Sequence, residues 1–368
     1  MIYLNNAATS YPKPRQVTDA TAEALRAMPA SALRSSLADD HLLPTLRERL
    51  GQLFHIADHR RIFLASGATD ALNRLLGGLD AHIIAATDNH NSVLRPLCNQ
   101  HRPHGYRLAD LSSDTLGETL SAADATPGTL LAVNHCSNVT GRIHDLKAIC
   151  QQAHERGMLV LADVSQSAGC IPIDVDGWGV DLLAFTGHKA LLGPQGTGGF
   201  YVREGIALRP TVWGGTGRDS TVVTYTDGDW EYEVGTLNHP GLAGLSAGVG
   251  YVLQKGVDHI FGQARAQANW LIQALRAIAA VRVYSHGGGS QGPVVSFNID
   301  GLSAPDVGYI LQNSYGITVR TGLHCAPLIH RQLGTYPQGT VRASLSCHTT
   351  ADELQALVDA VTEISNSL

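Results

Sequence analysis

Between residues 61 and 202 the chain alternates short apolar runs with helical stretches, and this rhythm restricts the possible folds more than any other feature. RIFLAS, HIIAAT, TLLAVN, MLVLAD, DLLAF and GGFYV each have the length of a buried strand. Between them, ATDALNRLLGGL places Ala68, Ala71, Leu72, Leu75, Leu76 and Leu79 at helical spacing. DLKAICQQAHERG ends on a glycine suited to stop a helix. Apolar strands joined by helices predict an α/β fold with a mainly parallel sheet covered on both faces. After about residue 240 the texture changes. VDHIFGQARAQANWLIQALRAI reads as a long helix, followed by GPVVSFNI, APDVGYILQNSYG, ITVR, TVRASL and the amphipathic ADELQALVDAVTEI. That β-α-β-β-α order describes a smaller α+β unit. We expect a large domain over 15–245 and a small one formed by 1–14 with 246–368. With no repeat, low-complexity tract or long linker, the two should pack closely around a cleft.

Composition removes several classes of function. The 368 residues suffice for two cores, and a formal net charge of −6 with interleaved signs lacks the basic footprint of a nucleic-acid binder. No apolar stretch approaches a membrane span. The opening MIYLNNAATSYPKP has no basic segment leading into an apolar one, so a cytoplasmic location is expected. The six cysteines lack disulfide-framework spacing, which favours a reducing compartment.

Ligands of open α/β sheets sit beyond the carboxyl ends of the strands. After RIFLA comes Ser66-Gly67-Ala68-Thr69, opening a helix. Free N–H groups, the helix dipole and a hydroxyl there make a phosphate cradle, although any strand-to-helix turn can contain glycine. After HIIAAT comes His90, which alone is an ordinary structural residue. After TLLAVN comes Asn138; after MLVLA come Asp163 and Gln166. A carboxylate at a buried strand end is costly unless it meets a positive group. After DLLAF come Thr186, His188 and Lys189. Pyridoxal phosphate uses all of these. It needs an amine for its aldehyde, a carboxylate to keep its ring nitrogen protonated, donors for its phenolic oxygen, a phosphate site and a flat group against the ring.

YLNNAATSYPKP, SGATDALN, HNSVL, SNVTG, ADVSQSAG, TGHKALLGPQGTGG, VGTLNHPG, RTGLHCAP and VRASL occur in this order across nearly the whole chain. The set resembles the class V, fold-type I pyridoxal-phosphate enzymes, and within them the cysteine desulfurase/selenocysteine lyase family. RTGLHCA is similar to the SufS-like branch. The resemblance implies that Lys189 bonds the cofactor, Asp163 pairs with its ring nitrogen and His90 stacks on the ring. Asn138 and Gln166 would flank the phenolic oxygen. Ala68, Thr69, Thr186 and His188 would hold the phosphate, with Thr236 reaching in from a second subunit of a homodimer. Arg342 would clamp the substrate carboxylate, with Arg320 and Asn5 nearby. The chain departs from the family in having SALRSSLADD where a Gly-Arg-Gly/Ser-Gly-His stretch is usual, which leaves Arg34 in doubt. Its 214–235 segment is also short.

Cys325 decides the activity within that family. The ordinary reading of a cysteine is a small buried hydrophobe, and it covers Cys98, Cys150, Cys170 and Cys347. Cys325 instead follows ITVRTG in a Gly/Pro-bounded loop, with Arg320 and His324 as positive neighbours for a thiolate. Catalytic, it would take sulfur from L-cysteine or selenium from L-selenocysteine and pass it to an acceptor thiol or protein. A class V aminotransferase would need no Cys325, and another C–S lyase would share the whole site. A relay protein without turnover is a further alternative. His135-Cys136, His324-Cys325 and Cys347-His348 raise a metal reading, but adjacent side chains diverge and no CxxC or HxxxH spacing accompanies them, so no metal site is expected.

Overall fold

A computed structural model of the chain describes residues 1–27, 41–100, 103–111, 127–215, 221, 223–224 and 232–368. Arg34 and most of the 214–235 segment lie outside the described residues. The order begins with β1 (Ile2–Tyr3), α1 (Arg15–Arg26), α2 (Leu42–Phe54), β2 (Ile62–Ala65), α3 (Ala68–Gly78), β3 (Ile83–Ala86), α4 (Asn91–Asn99) and β4 (Tyr106–Ala109). It continues with β5 (Leu130–Asn134), α5 (Leu146–His154), β6 (Leu159–Asp163), α6 (Val175–Trp178), β7 (Leu182–Thr186) and β8 (Gly198–Val202). Seven of these strands form one sheet in the order β2-β8-β7-β6-β5-β3-β4. Only β8 runs against the others.

Every residue of β3, β5, β7 and β8 is buried, as a sheet covered on both faces requires. Alternate residues supply two cores. Leu131, Val133, Val160, Ala162, Leu183 and Phe185 face one side with Leu46, Leu50 and Phe54 of α2. Leu130, Ala132, Leu161, Leu182 and Ala184 face the other with Leu72, Leu75 and Leu76 of α3. The expected α/β architecture is therefore present. Strand β4 carries no clear apolar pattern in the sequence because it is an edge, with Tyr106 and Arg107 exposed.

Helix α7 (His239–Lys255) also escapes a sequence reading. Its Gly241, Gly244, Gly248 and Gly250 lower intrinsic helicity by about 1 kcal/mol each relative to alanine. Tertiary packing overrides that cost. A Cβ at Gly248 would stand 2.4 Å from the carbonyl oxygen of Leu191. Glycine there lets the helix lie directly against the loop that follows Lys189.

The remaining elements are α8 (Val257–Arg276), β9 (Val281–Val283), β10 (Val294–Ile299), α9 (Ala304–Ser314), β11 (Ile317–Thr318), β12 (Arg320–Gly322), α10 (Pro327–Gln332), β13 (Thr340–Ser344) and α11 (Ala351–Asn366). β12, β13, β10 and β9 form an antiparallel sheet in that order. The N-terminus belongs with them: β1 pairs in parallel with β11, and Leu4 is buried in the same core as Phe297, Val341 and Leu357. This stitching brings Ala7 and Ala8 to the cavity at the end of the large sheet. Among the described residues, no helix is long and apolar enough to cross a membrane.

Candidate active site

A cavity of about 420 Å³ opens where the carboxyl ends of β2, β3, β5, β6 and β7 meet the antiparallel sheet. Its wall contains Ala68, Thr69, His90, Asn138, Asp163, Gln166, Thr186, His188, Lys189, Arg320 and Arg342, so eleven residues expected from sequence are gathered there. Three others are not on this wall. Asn5 touches it through Arg342, whose Nη2 donates to Asn5 Oδ1 at 3.3 Å. Cys325 lies in an adjoining groove, and Thr236 is exposed and does not line the cavity.

The phosphate cradle takes the expected form. Gly67 precedes α3 with φ 149°, a backbone conformation that favours glycine, and the N–H groups of the first turn remain free of helix partners. Asp70 in that turn would repel an anion, but Ser66 donates to its Oδ2 from both N–H and hydroxyl, and Arg74 Nε binds its Oδ1 at 2.6 Å. Thr69 Oγ1 lies 2.8 Å from Ser92 Oγ.

His90 caps α4: its Nδ1 accepts from the Ser92 N–H at 3.0 Å, which places any ring proton of the neutral form on Nε2. Burial, reinforced by the Lys189 ammonium, pulls His90 down to about 4. The ring is therefore uncharged at neutral pH. Asp163 ends β6, 7 % exposed, with Oδ1 held by the N–H and hydroxyl of Ser165. Oδ2 remains for a donor within the cavity. Lys189 follows β7; desolvation pulls its amine down to about 8, partly opposed by Asp163. A substantial fraction is thus a neutral nucleophile and base near physiological pH.

Arg342 projects from β13 and is fully buried, with Nη1 donating to the Asn138 carbonyl at 2.9 Å. Burial and the Arg320 guanidinium bring it down to about 9, so it stays protonated at neutral pH. Its Nε has no partner, and neither do Asn134 Oδ1, Asn138 Oδ1 and His188 Nδ1. Buried polar atoms are rarely orphaned, so this cluster fits a polar ligand with both donors and acceptors. Free N–H groups for a phosphate, an unspent carboxylate oxygen, a neutral ring and a partly neutral amine together suit the cofactor that the resemblance implies.

The cysteine loop corrects one expectation. His324 is not a positive neighbour for Cys325: its Nε2 turns to Thr340, 3.1 Å from the carbonyl oxygen, and burial pushes the ring well below its ordinary range. Arg320 is the cation in direct contact, with Nη2 donating to Cys325 Sγ at 3.3 Å, and Lys189 and Arg342 also act on the thiol electrostatically. His324 and Cys325 have φ of 48° and 61°, consecutive left-handed residues that are strained for non-glycines. Tertiary bonds hold them: Asn138 Nδ2 donates to the His324 carbonyl and the Asn91 N–H to that of Cys325, at 2.6 and 2.7 Å.

Sequence reasoning missed Ser92 and Ser165, each two residues beyond a recognised side chain and bonded to it. It also missed the cavity-lining Cys136, whose thiol burial pushes far up and so out of nucleophilic use. Of the cysteines read as buried packing, Cys150 and Cys170 are buried and Cys347 is partly so. Cys98 is instead exposed, accepting from Tyr106 Oη at 3.4 Å. Among the described residues, no three His, Cys, Asp or Glu side chains converge as metal ligands.

The depressed histidines make stability acid-sensitive. Burial lowers His135 to about 3 and His188 to about 4, as it does His90. A folded-state value below the unfolded 6.5 means that folding releases protons. The stabilisation is full above pH 6.5 and is lost as pH falls through that window. His135, 2 % exposed, contributes most, on the order of a few kcal/mol. The expected result is a melting temperature that holds above pH 6.5 and drops steadily below it. A flat profile down to pH 4 would contradict neutral buried histidines.

The family model described as aminotransferase class-V matches residues 2–357. A probable cysteine desulfurase of Methanothermobacter thermautotrophicus is 31 % identical over 381 residues, covering 99 % of this chain and 94 % of the relative. The cysteine desulfurase of Klebsiella pneumoniae is 31 % identical over 395 residues, covering 100 % and 94 %. Among solved structures, the apo cysteine desulfurase of Thermococcus onnurineus aligns with a TM-score of 0.86 at 29 % identity, over 100 % of this chain and 95 % of that one. The Escherichia coli cysteine desulfurase CsdA, in an S-sulfonic acid form, gives 0.84 at 28 % over the same shares.

Proposed function

This chain belongs to the class-V aminotransferase family, and from that premise we propose that it is a pyridoxal-phosphate-dependent cysteine desulfurase. The observation that carries the reading is Cys325 bonded to Arg320, which itself lines the cavity that contains Lys189 and Asp163. An aminotransferase has no use for a thiol there.

Bound in the cavity, pyridoxal phosphate would supply an aldehyde that bonds amines and a protonated ring that accepts the electron pair left by a departing α-proton. The chain's own groups do the rest. The first turn of α3, with Thr69, Thr186 and His188, would bind the phosphate. Asp163 would hold the proton on the ring nitrogen, His90 would lie against the ring, and Asn138 and Gln166 would flank its phenolic oxygen. Arg342, steadied by Asn5, orients the carboxylate of L-cysteine, and Lys189 Nζ takes the α-proton. Cys325 Sγ attacks the substrate sulfur: the carbon–sulfur bond breaks, a sulfur–sulfur bond forms, and L-cysteine leaves as L-alanine with the sulfur held on Cys325. An acceptor thiol then collects it. Residues 15–245 would carry the cofactor, and 1–14 with 246–368 the cysteine loop. Steady-state assays with L-cysteine and a reducing thiol test the reading. Alanine and sulfide should appear in equal amounts, whereas pyruvate or a keto acid as the main product would overturn it.

Thr236 is exposed and does not line the cavity of its own chain, which accords with the resemblance's placing it in the site of a second subunit of a homodimer. Thr236→Ala should weaken cofactor retention about tenfold, the worth of one phosphate hydrogen bond, with the dimer intact. Retention is read from visible absorbance after dialysis. A monomer with full cofactor occupancy would contradict the shared site.

A further inference from the structure

We propose that the groove on the outer side of Cys325 receives the sulfur acceptor, and that Arg95 at its rim selects a small thiol bearing a carboxylate. The proposal rests on the desulfurase reading, because only sulfur held on Cys325 needs an acceptor. The groove, of about 540 Å³, runs between α3 and α4. It shares Thr69, His90 and Ser92 with the active-site cavity, whereas Cys325 lines only the groove. The two spaces thus meet at the His90 wall, one for the amino acid and one for whatever reaches Cys325 from outside.

The charge of the groove is simple. Ser92, Arg95, Pro96 and Asn99 stand at three- and four-residue spacing on one face of α4, and Thr69 and Asn73 face them from α3. Arg95 is the only lining residue with a permanent charge, since His90 is neutral. It is exposed and has no ion-pair partner among the described residues. Asp88, the carboxylate nearest in sequence, is paired with His144, and Asp70, next to Thr69, lines the other cavity and is bound by Arg74. Three of the amides are already committed: Asn99 Nδ2 donates to the Arg95 carbonyl and Asn73 accepts from Gln100. An unpaired guanidinium beside a sulfur-carrying thiol, in a groove of small-molecule size, fits a short anionic thiol. Transfer is an exchange. The acceptor thiolate attacks the outer sulfur on Cys325, the sulfur–sulfur bond breaks, and Cys325 leaves as thiolate while the acceptor becomes a persulfide. No oxidant or reductant is required.

The test compares mercaptopropionate with mercaptoethanol as acceptors for the holoenzyme, with rates corrected for thiolate fraction. Wild type should favour mercaptopropionate in kcat/KM. Arg95→Glu should lower the ratio of the two values about tenfold and Arg95→Gln by a smaller factor, and added salt should shrink the wild-type preference. A ratio that stays within twofold in both variants overturns the proposal, as does reaction only with a protein thiol. A separate control uses wild type without any thiol. If no alanine forms and no sulfur appears on Cys325, the desulfurase reading fails; if both appear and the ratio is unmoved, only the groove assignment fails.

Discussion

Cys325→Ala should lower alanine formation from L-cysteine by roughly several hundredfold, about 3–4 kcal/mol of transition-state stabilisation. The sulfur of cysteine departs poorly unless a nucleophile takes it, and Cys325 is the thiol bonded to Arg320, which itself lines the cavity. Neither Cys136, whose thiol is pushed far up by burial, nor the buried Cys170 can stand in. Cofactor colour should survive, because Lys189, Asp163 and Arg342 are untouched. Selenium leaves more readily, so turnover of L-selenocysteine should fall much less. Cysteine turnover within a few-fold of wild type would reduce Cys325 to packing and favour an aminotransferase or simple lyase.

Lys189→Ala should cost about a thousandfold or more in the release of the substrate α-proton, within the range of a lost general base. The variant should still retain the cofactor through Asp163 and the cradle at the start of α3, but borohydride should no longer fix it to the protein. The depressed amine adds a second signature. Capture of the cofactor by wild-type apoprotein should accelerate with rising pH and level off near 8, where Lys189 becomes neutral, rather than near the ordinary 10.5. Reductive attachment to Lys13, the other lysine that burial brings to about 8, would overturn the assignment.

Much of this site is legible in the sequence because buried strands advertise themselves. The apolar runs of β5 and β7, each closed by a polar residue, mark their own ends, so the sequence places Asn138 and the Thr186–Lys189 turn at one edge. Asp163 could be found for the same reason: the burial cost of a carboxylate demands a partner. What stays hidden depends on contacts between distant segments. No local pattern shows that His324 turns away to Thr340, or that Cys325 adopts a left-handed conformation held by Asn91. Helix α7 is obscured by the glycines that let it reach Leu191. Cys98 reads as packing because residue type alone does not reveal which face of α4 meets solvent. The placing of Cys325 in the groove beside α4 likewise rests on the Asn91 N–H binding its carbonyl, a contact between distant segments that periodicity does not report.

The central claim is that Cys325 accepts sulfur directly from cysteine. The measurement is an anaerobic single turnover of holoenzyme with L-cysteine and no reducing thiol, followed by peptide mass analysis. The account predicts one alanine per active site and one additional sulfur atom on the peptide containing Cys325. Alanine released without sulfur on that peptide, or sulfur carried by another cysteine, would contradict it.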